Sequence, residues 1–230
     1  MDRILLHIPH SSKVFPEGRF DWDSGIDVHI ERWTDKYTDK LFRSVNESVY
    51  AEIFPYSRFY CDVERLIDDP LNAVGQGIVY TRFEGVKRNL DKRHISEIME
   101  LYNTHIGNIC RRLQRWVDEG LSPLLIDCHS FPRDLSDVDI CIGFNDDWSR
   151  PADALLDLII CHFKEWGLTV RCNTPYSNSL APAIEGKYPS IMIEINKKIY
   201  LNNNDETDPF AYKKHLMLES LYKKILNYNK

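Results

Sequence analysis

A chain of 230 residues that is 43% hydrophobic and 12% aromatic can bury a sizeable core, which excludes an intrinsically disordered protein. Its formal charge of −6 gives no basic footprint for nucleic acid, and no apolar run approaches the ~18 residues of a membrane span. The opening "MDRILLHIPH" has too short an apolar run, broken by His7, for a signal peptide.

The predicted elements alternate along the chain. "RILLHI" (3–8) reads as a strand and "HIERWTDKYTDKLFRSV" (29–45) as one helix, with Ile30, Trp33, Tyr37, Leu41 and Phe42 at helical spacing. "SVYAEIF" (48–54) alternates like a strand and is closed by Pro55. A loop rich in Gly, Asp and Asn precedes a long helix from about 91 to 119, with Gly120 where a C-terminal cap belongs. "SPLLIDC" (122–128) and "DVDICIGF" (137–144) are strand-like. "PADALLDLIICHFKEW" (151–166) is a helix with Pro151 in its first turn. The strands "LTVRCN" (168–173) and "SIMIEIN" (190–196) follow, and an amphipathic helix fills 208 to 227. This order predicts one α/β domain over 1–230, a three-layer arrangement with a mainly parallel mixed sheet and helices on both faces. Six cysteines, with no CxxC spacing and several inside apolar runs, read as buried free thiols of a reducing cytoplasm.

Chemistry-bearing residues gather where these strands end. In "PLLIDCHSF" the acid Asp127 runs into His129, and in α/β proteins ligands bind at the carboxyl ends of strands. In "HIPHSS", Pro9 closes the first strand and His10 lands just beyond it. Asp35 and Asp39, four apart in "TDKYTDKLF", are expected on one helix face. Glu194 interrupts the apolar strand "SIMIEIN", a costly place for a carboxylate unless it is paired or binds metal. Two histidines and a carboxylate match what a catalytic zinc needs, with a fourth position open for water. A further carboxylate can take that water's proton. Taken singly, each has a plainer reading: a structural histidine, a solvated helix face, a glutamate paired with arginine.

The stretches "HIPHSS", "RWTDKYTDKLF", "SRFYCDVER", "LLIDCHSF", "VRCNTPYS" and "IMIEINKKIYL", in this order, resemble the N-formylglutamate amidohydrolase family from about residue 4 to 201. The resemblance implies a zinc-dependent hydrolase that cleaves the N-acyl amide of an amino acid, a role in amino-acid catabolism. It also implies a fold similar to zinc carboxypeptidases and peptidoglycan amidases. The metal ligands would fall on His10, Asp35 and His129, and the residue serving the water on Glu194. Asp39 is an alternative to Asp35, and Asp127 is placed to orient a ligand imidazole or to bind a nearby backbone N–H. His7 points away from its even-numbered neighbours and reads as structural; Cys128, on the face opposite His129, reads as a buried thiol.

The substrate implied by the resemblance is a small dianion, and arginine forks suit carboxylates. Arg58 and Arg65 in "SRFYCDVER" are the candidates, with Asn173 and Tyr176 of "NTPYS" able to hydrogen-bond substrate or simply to form a turn. Glu64 departs from the family stretch, which carries Asn there, and puts the glutamate specificity in question. Arg82 and Arg133 are lesser candidates. The competing readings are a zinc carboxypeptidase or deacylase of another N-acyl amino acid or peptide, and a non-catalytic ligand-binding protein on the same scaffold. The sequence is silent on oligomeric state.

Overall fold

All six predicted strands form, together with a short hairpin that the sequence pattern does not announce. In the computed structural model, which describes residues 1–204, 206–207 and 211–228, the elements run in chain order as β1 (Arg3–Ile8), α1 (Ile26–Trp33), α2 (Thr38–Leu41), β2 (Val49–Ile53), β3 (Arg82–Phe83), β4 (Val86–Lys87), α3 (Lys92–Asp118), β5 (Pro123–Phe131), β6 (Ile140–Gly143), α4 (Asp153–Glu165), β7 (Val170–Cys172), β8 (Ser190–Asn196) and α5 (Ala211–Leu226). They divide into two compact units. One comprises Met1–Ile8, Tyr37–Ile53 and Ile109–Lys230, the other Pro9–Lys36 and Phe54–Asn108.

The first unit holds a six-stranded sheet in the order β2-β1-β5-β8-β6-β7. β2, β1, β5 and β8 are mutually parallel, while β6 pairs antiparallel to β8 and parallel to β7. The sheet is therefore mainly parallel and mixed, as the strand–helix alternation predicts. Successive side chains alternate between faces, and here the two faces differ in kind. Leu6, Ile8, Ile126, Cys128, Ile191, Ile193 and Ile195 share one core with Leu41, Phe42, Ile159, Phe163, Leu218 and Tyr222 of α2, α4, α5 and the residue after α2. Burying each such aliphatic or aromatic side chain is worth roughly 1.5–3 kcal/mol, which offsets the polar residues taken out of water on the opposite face. Over that face, the guanidinium of Arg112 on α3 lies 3.6 Å from the centre of the Tyr50 ring on β2. Helices thus cover both sides of the sheet.

The second unit has two apolar clusters. Phe54, Tyr60, Cys61, Val63 and Ile78 pack with Ile98 and Tyr102 from the first half of α3. Trp22, Ile26, Ile30, Phe59, Tyr80 and Phe83 make the other. The β3–β4 hairpin turns on Glu84 and Gly85, both at positive φ, a two-residue connection whose twist matches that of the strands it joins.

The structure revises the sequence reading in three places. The single helix expected over 29–45 breaks into α1 and α2. The backbone N–H of Asp35 bonds the carbonyl of His10 at 2.9 Å instead of continuing the helix, Thr34 Oγ1 donates to the Ile30 carbonyl, and Tyr37 sits at φ 63°. β5 runs on to Phe131, because residues through 131 pair with β8, so Asp127 and His129 lie inside a strand. Pro151 precedes the α4 cap at Ala152 and stands outside the first turn. Helix α5 begins at Ala211; the expected start at 208 lies outside the described residues. Gly120, at φ 76°, ends α3 as predicted, with Gly120 N–H on Val117 O and Leu121 N–H on Trp116 O, the paired bonds of a glycine-capped helix end.

Candidate functional site

In the first unit, the chemistry lies on the sheet face opposite the large apolar core. Strand register places His7 beside Asp127 and His129 beside Glu194, with Cys141 on the far side of Glu194. All these residues are buried. Asp127 is the hub. Its Oδ1 lies 2.8 Å from His7 Nδ1 and 3.1 Å from His129 Nε2, and its Oδ2 accepts the Leu180 N–H at 3.1 Å. Burial pushes this carboxyl group up, but His129 and His7 outweigh it and hold Asp127 well below the ordinary carboxylate range. An ionised carboxylate accepts only, so the proton between His7 and Asp127 sits on His7 Nδ1. Of the two readings of Asp127 made from the sequence, the bond to a backbone N–H is present, and the carboxylate also stands beside the His129 ring. Cys128 lies on the apolar face, where burial raises its thiol well above the usual value, which suits a packing residue and not a nucleophile.

In the second unit, tight turns over "SRFYCDVER" crowd charged side chains around His10. Ser57 anchors the turn through its carbonyl, which accepts the Tyr60 and Cys61 N–H groups. Asp62, wholly buried, accepts from His10 Nε2 at 2.8 Å on Oδ1, and from Arg58 Nη2 at 3.0 Å and Tyr80 Oη at 2.8 Å on Oδ2. Arg65 Nε stands 3.5 Å from the same oxygen. Burial pushes Asp62 up, yet Arg58, His10 and Arg65 together hold it well below the carboxylate range. Burial also pushes the Tyr80 phenol up to about 12, so it is a neutral donor at physiological pH. His10 is lowered, first by burial and then by Arg58, which favours the neutral imidazole that binds metals.

The other nitrogen of His10 faces two acids. Nδ1 lies 3.8 Å from Asp35 Oδ2 and 3.9 Å from Glu64 Oε2. Ligand atoms about 2.0–2.2 Å from one zinc ion stand no more than ~4.4 Å apart, so both separations are compatible with a shared ion. An imidazole nitrogen with two carboxylates is a donor set that suits zinc or a similar divalent metal.

The placement of the predicted residues is therefore uneven. Asp35 is buried beside His10 on the turn after α1, whereas Asp39 belongs to α2 in the other unit, so the two do not share a helix face. Glu64 turns towards His10 and Arg58, not away from them. Arg58 and Arg65 are both engaged with Asp62. Asn173 closes the turn after β7, its side-chain oxygen accepting the Phe144 N–H at 3.0 Å. Tyr176 packs edge-on against Phe131, and its carbonyl faces the Cys141 thiol. Arg82 and Arg133 bind loop carbonyls of Val74 and Asn202. Tyr80 is a residue that sequence reasoning passed over, and Asp62, which matches the family stretch along with the two arginines, was given no role by it. A signal for Asp62 was present in its position three and four residues from two arginines; Tyr80 had none.

Comparison with known proteins gives this geometry a context. Residues 2–201 match the family model of N-formylglutamate amidohydrolase. No curated protein matches the chain. Among solved structures, the chain is similar to an N-formylglutamate amidohydrolase from Ralstonia eutropha, at 18% identity and a TM-score of 0.81, covering 99% of this chain and 95% of that one. It is also similar to a gene product of Agrobacterium tumefaciens, at 18% identity and a TM-score of 0.71, covering 97% and 92%. At these identities the two structures bear on the fold alone.

Proposed function

The chain belongs to the N-formylglutamate amidohydrolase family, and from that premise we propose a zinc enzyme whose metal is held by His10, Asp35 and His129, with Glu194 as the general base. The family makes it a hydrolase of amide C–N bonds acting on N-formylglutamate, with a small molecule as its partner. We further propose that residues 1–230 work as one functional domain.

One observation carries the metal reading. His10 and His129 each set Nε2 against a buried aspartate, Asp62 and Asp127. A carboxylate hydrogen-bonded to Nε2, as at His10, or standing beside it, as at His129, favours the proton there and the lone pair on Nδ1, the arrangement that prepares an imidazole to bind a metal. Zinc bound there would acidify a water and polarise the acyl oxygen. The remaining work falls to side chains. Glu194 takes the proton of the attacking water and returns it to the leaving nitrogen, so that water and N-formylglutamate become formate and glutamate. Arg58 and Arg65, oriented by Asp62, present their other N–H groups to substrate carboxylates. Tyr176 borders the substrate, and Asn173 offers its amide N–H₂, its oxygen being occupied by Phe144.

Glu64 favours a second reading. Its carboxylate lies 3.9 Å from Arg58 Nη2, where a substrate carboxylate would meet a like charge, so a deacylase of a less acidic N-acyl amino acid is the alternative. We place the protein in the cytoplasm, which accords with six free thiols, although Cys161 and Cys172 are exposed and not buried as the sequence reading expects. No helix among the described residues is long and apolar enough to cross a membrane.

The test is metal analysis of the purified protein with assays on N-formylglutamate and on N-acyl derivatives of neutral amino acids. One zinc per chain, lost in His129→Ala, and turnover of N-formylglutamate are expected. Zinc bound as tightly by His129→Ala as by the parent would remove His129 from the ligand set.

A further inference from the structure

His7 is fully buried in β1 and has no part in the chemistry above. A buried histidine in a strand is by default a packed residue with a satisfied ring, and its surroundings argue for more. Its Nδ1 donates to Asp127 Oδ1 at 2.8 Å, and the same oxygen stands 3.1 Å from His129 Nε2. The contact is set by the parallel register of β1 and β5, which puts His7 directly beside Asp127. The other carboxylate oxygen is held by the Leu180 N–H. With a donor on each oxygen, the plane of the carboxylate is fixed, and so is the edge it turns to His129. Remove His7, and Asp127 keeps one anchor and can pivot about it.

We propose that His7 is a positioning residue for His129, acting through Asp127. The claim rests on the reading of His129 as a metal ligand. His7 touches neither substrate nor metal in this scheme. Its task is to keep Asp127 facing His129 Nε2, so that the His129 proton stays on that nitrogen and Nδ1 carries the lone pair. A buried polar pair that merely satisfied itself would not need to share its acceptor oxygen with a second imidazole.

The experiment uses the full chain with ¹⁵N-labelled histidine, metal-free, at mildly alkaline pH, and reads the protonated ring nitrogen of each histidine by two-bond ¹H–¹⁵N correlation. The His129 signals are assigned by their loss in His129→Asn. Three variants follow. His7→Asn puts an amide nitrogen near the place of Nδ1, His7→Gln puts it near Nε2, and His7→Leu removes it. The parent and His7→Asn are expected to hold the His129 proton on Nε2. His7→Gln and His7→Leu are expected to show mixed tautomers and zinc affinity weakened about 10- to 100-fold in chelator competition, with KM unchanged at saturating zinc. The same tautomer and zinc affinity in Asn and Gln variants would overturn the proposal, and this contrast decides it even where the Leu variant does not fold. A parent that holds the Nε2 tautomer but binds no zinc would sink the metal reading and leave the positioning role standing.

Discussion

Replacing Asp62 with Asn changes one oxygen for an amide group and almost nothing in volume, yet it reaches every charged group around His10. The carboxylate accepts from His10 and from the Arg58–Tyr80 pair on different oxygens. An asparagine has a single acceptor oxygen, so one side must meet an N–H₂ donor. Arg58 cannot give up its protons, and the neutral Tyr80 hydroxyl also donates on that side. The oxygen therefore turns to Arg58 and Tyr80, and the amide to His10. His10 must then accept at Nε2 and carry its proton on Nδ1, the nitrogen facing Asp35 and Glu64. Metal binding at Nδ1 would require that tautomer to be undone, and a loss of about 10- to 100-fold in affinity is expected. Stability should fall as well. Breaking a buried pair from one side costs about 3–5 kcal/mol, or about 6–20 °C in Tm for a chain of this size. The pH dependence has a definite sign. Asp62 has a depressed folded-state value, so its stabilisation is present above the unfolded value of ~3.9 and is lost as pH falls towards the folded one. The Asn variant should lack that acid-side contribution. Thermal melts across pH and chelator competition measure both effects. An Asp62→Asn protein with parental Tm and parental zinc affinity would refute the assignment of Asp62 as the anchor of His10.

Three further outcomes are expected. Glu194→Gln should lower kcat by about 100- to 10,000-fold with zinc content unchanged; loss of zinc would instead make Glu194 a ligand. Arg65→Lys should lower kcat/KM for N-formylglutamate by an amount equivalent to about 1–3 kcal/mol, because a point charge replaces a planar fork, and unchanged kinetics would take Arg65 out of the substrate site. His162 is buried on α4 with Nε2–H on the Met217 carbonyl at 2.9 Å, and burial lowers its pKa. The unfolded chain therefore binds a proton that the folded chain does not as pH drops below ~6.5, and stability is lost in that window. His162→Gln, which keeps the donor, should show a flatter melting profile between neutral and mildly acidic pH; a parental profile would mean that His162 titrates alike in both states.

Much of this was legible in residues alone. The apolar runs of β1, β5 and β8 are continuous enough to be read as buried strands. The alternation of side chains across a strand separates His129 from Cys128 without any coordinates. The family stretches name His10, His129 and Glu194. What the sequence could not supply is adjacency. The helix expected over 29–45 has the right apolar spacing, but its continuation lost to a tertiary bond between Asp35 N–H and the His10 carbonyl, and so Asp35 and Asp39 parted.

Local pattern is written in spacing, because backbone periodicity is a property of neighbours along the chain. Which strands lie side by side, and in what register, depends on how distant segments bury their faces together. Only the order β2-β1-β5-β8 sets His7 against Asp127 and Glu194 against His129. Only the turns closing on Asp62 bring a buried acid, two arginines, a tyrosine and a histidine into one group. The sequence determined which residues were available for chemistry. The tertiary structure decided which carboxylate each histidine nitrogen faces, because that choice depends on groups far apart in the chain that are buried side by side.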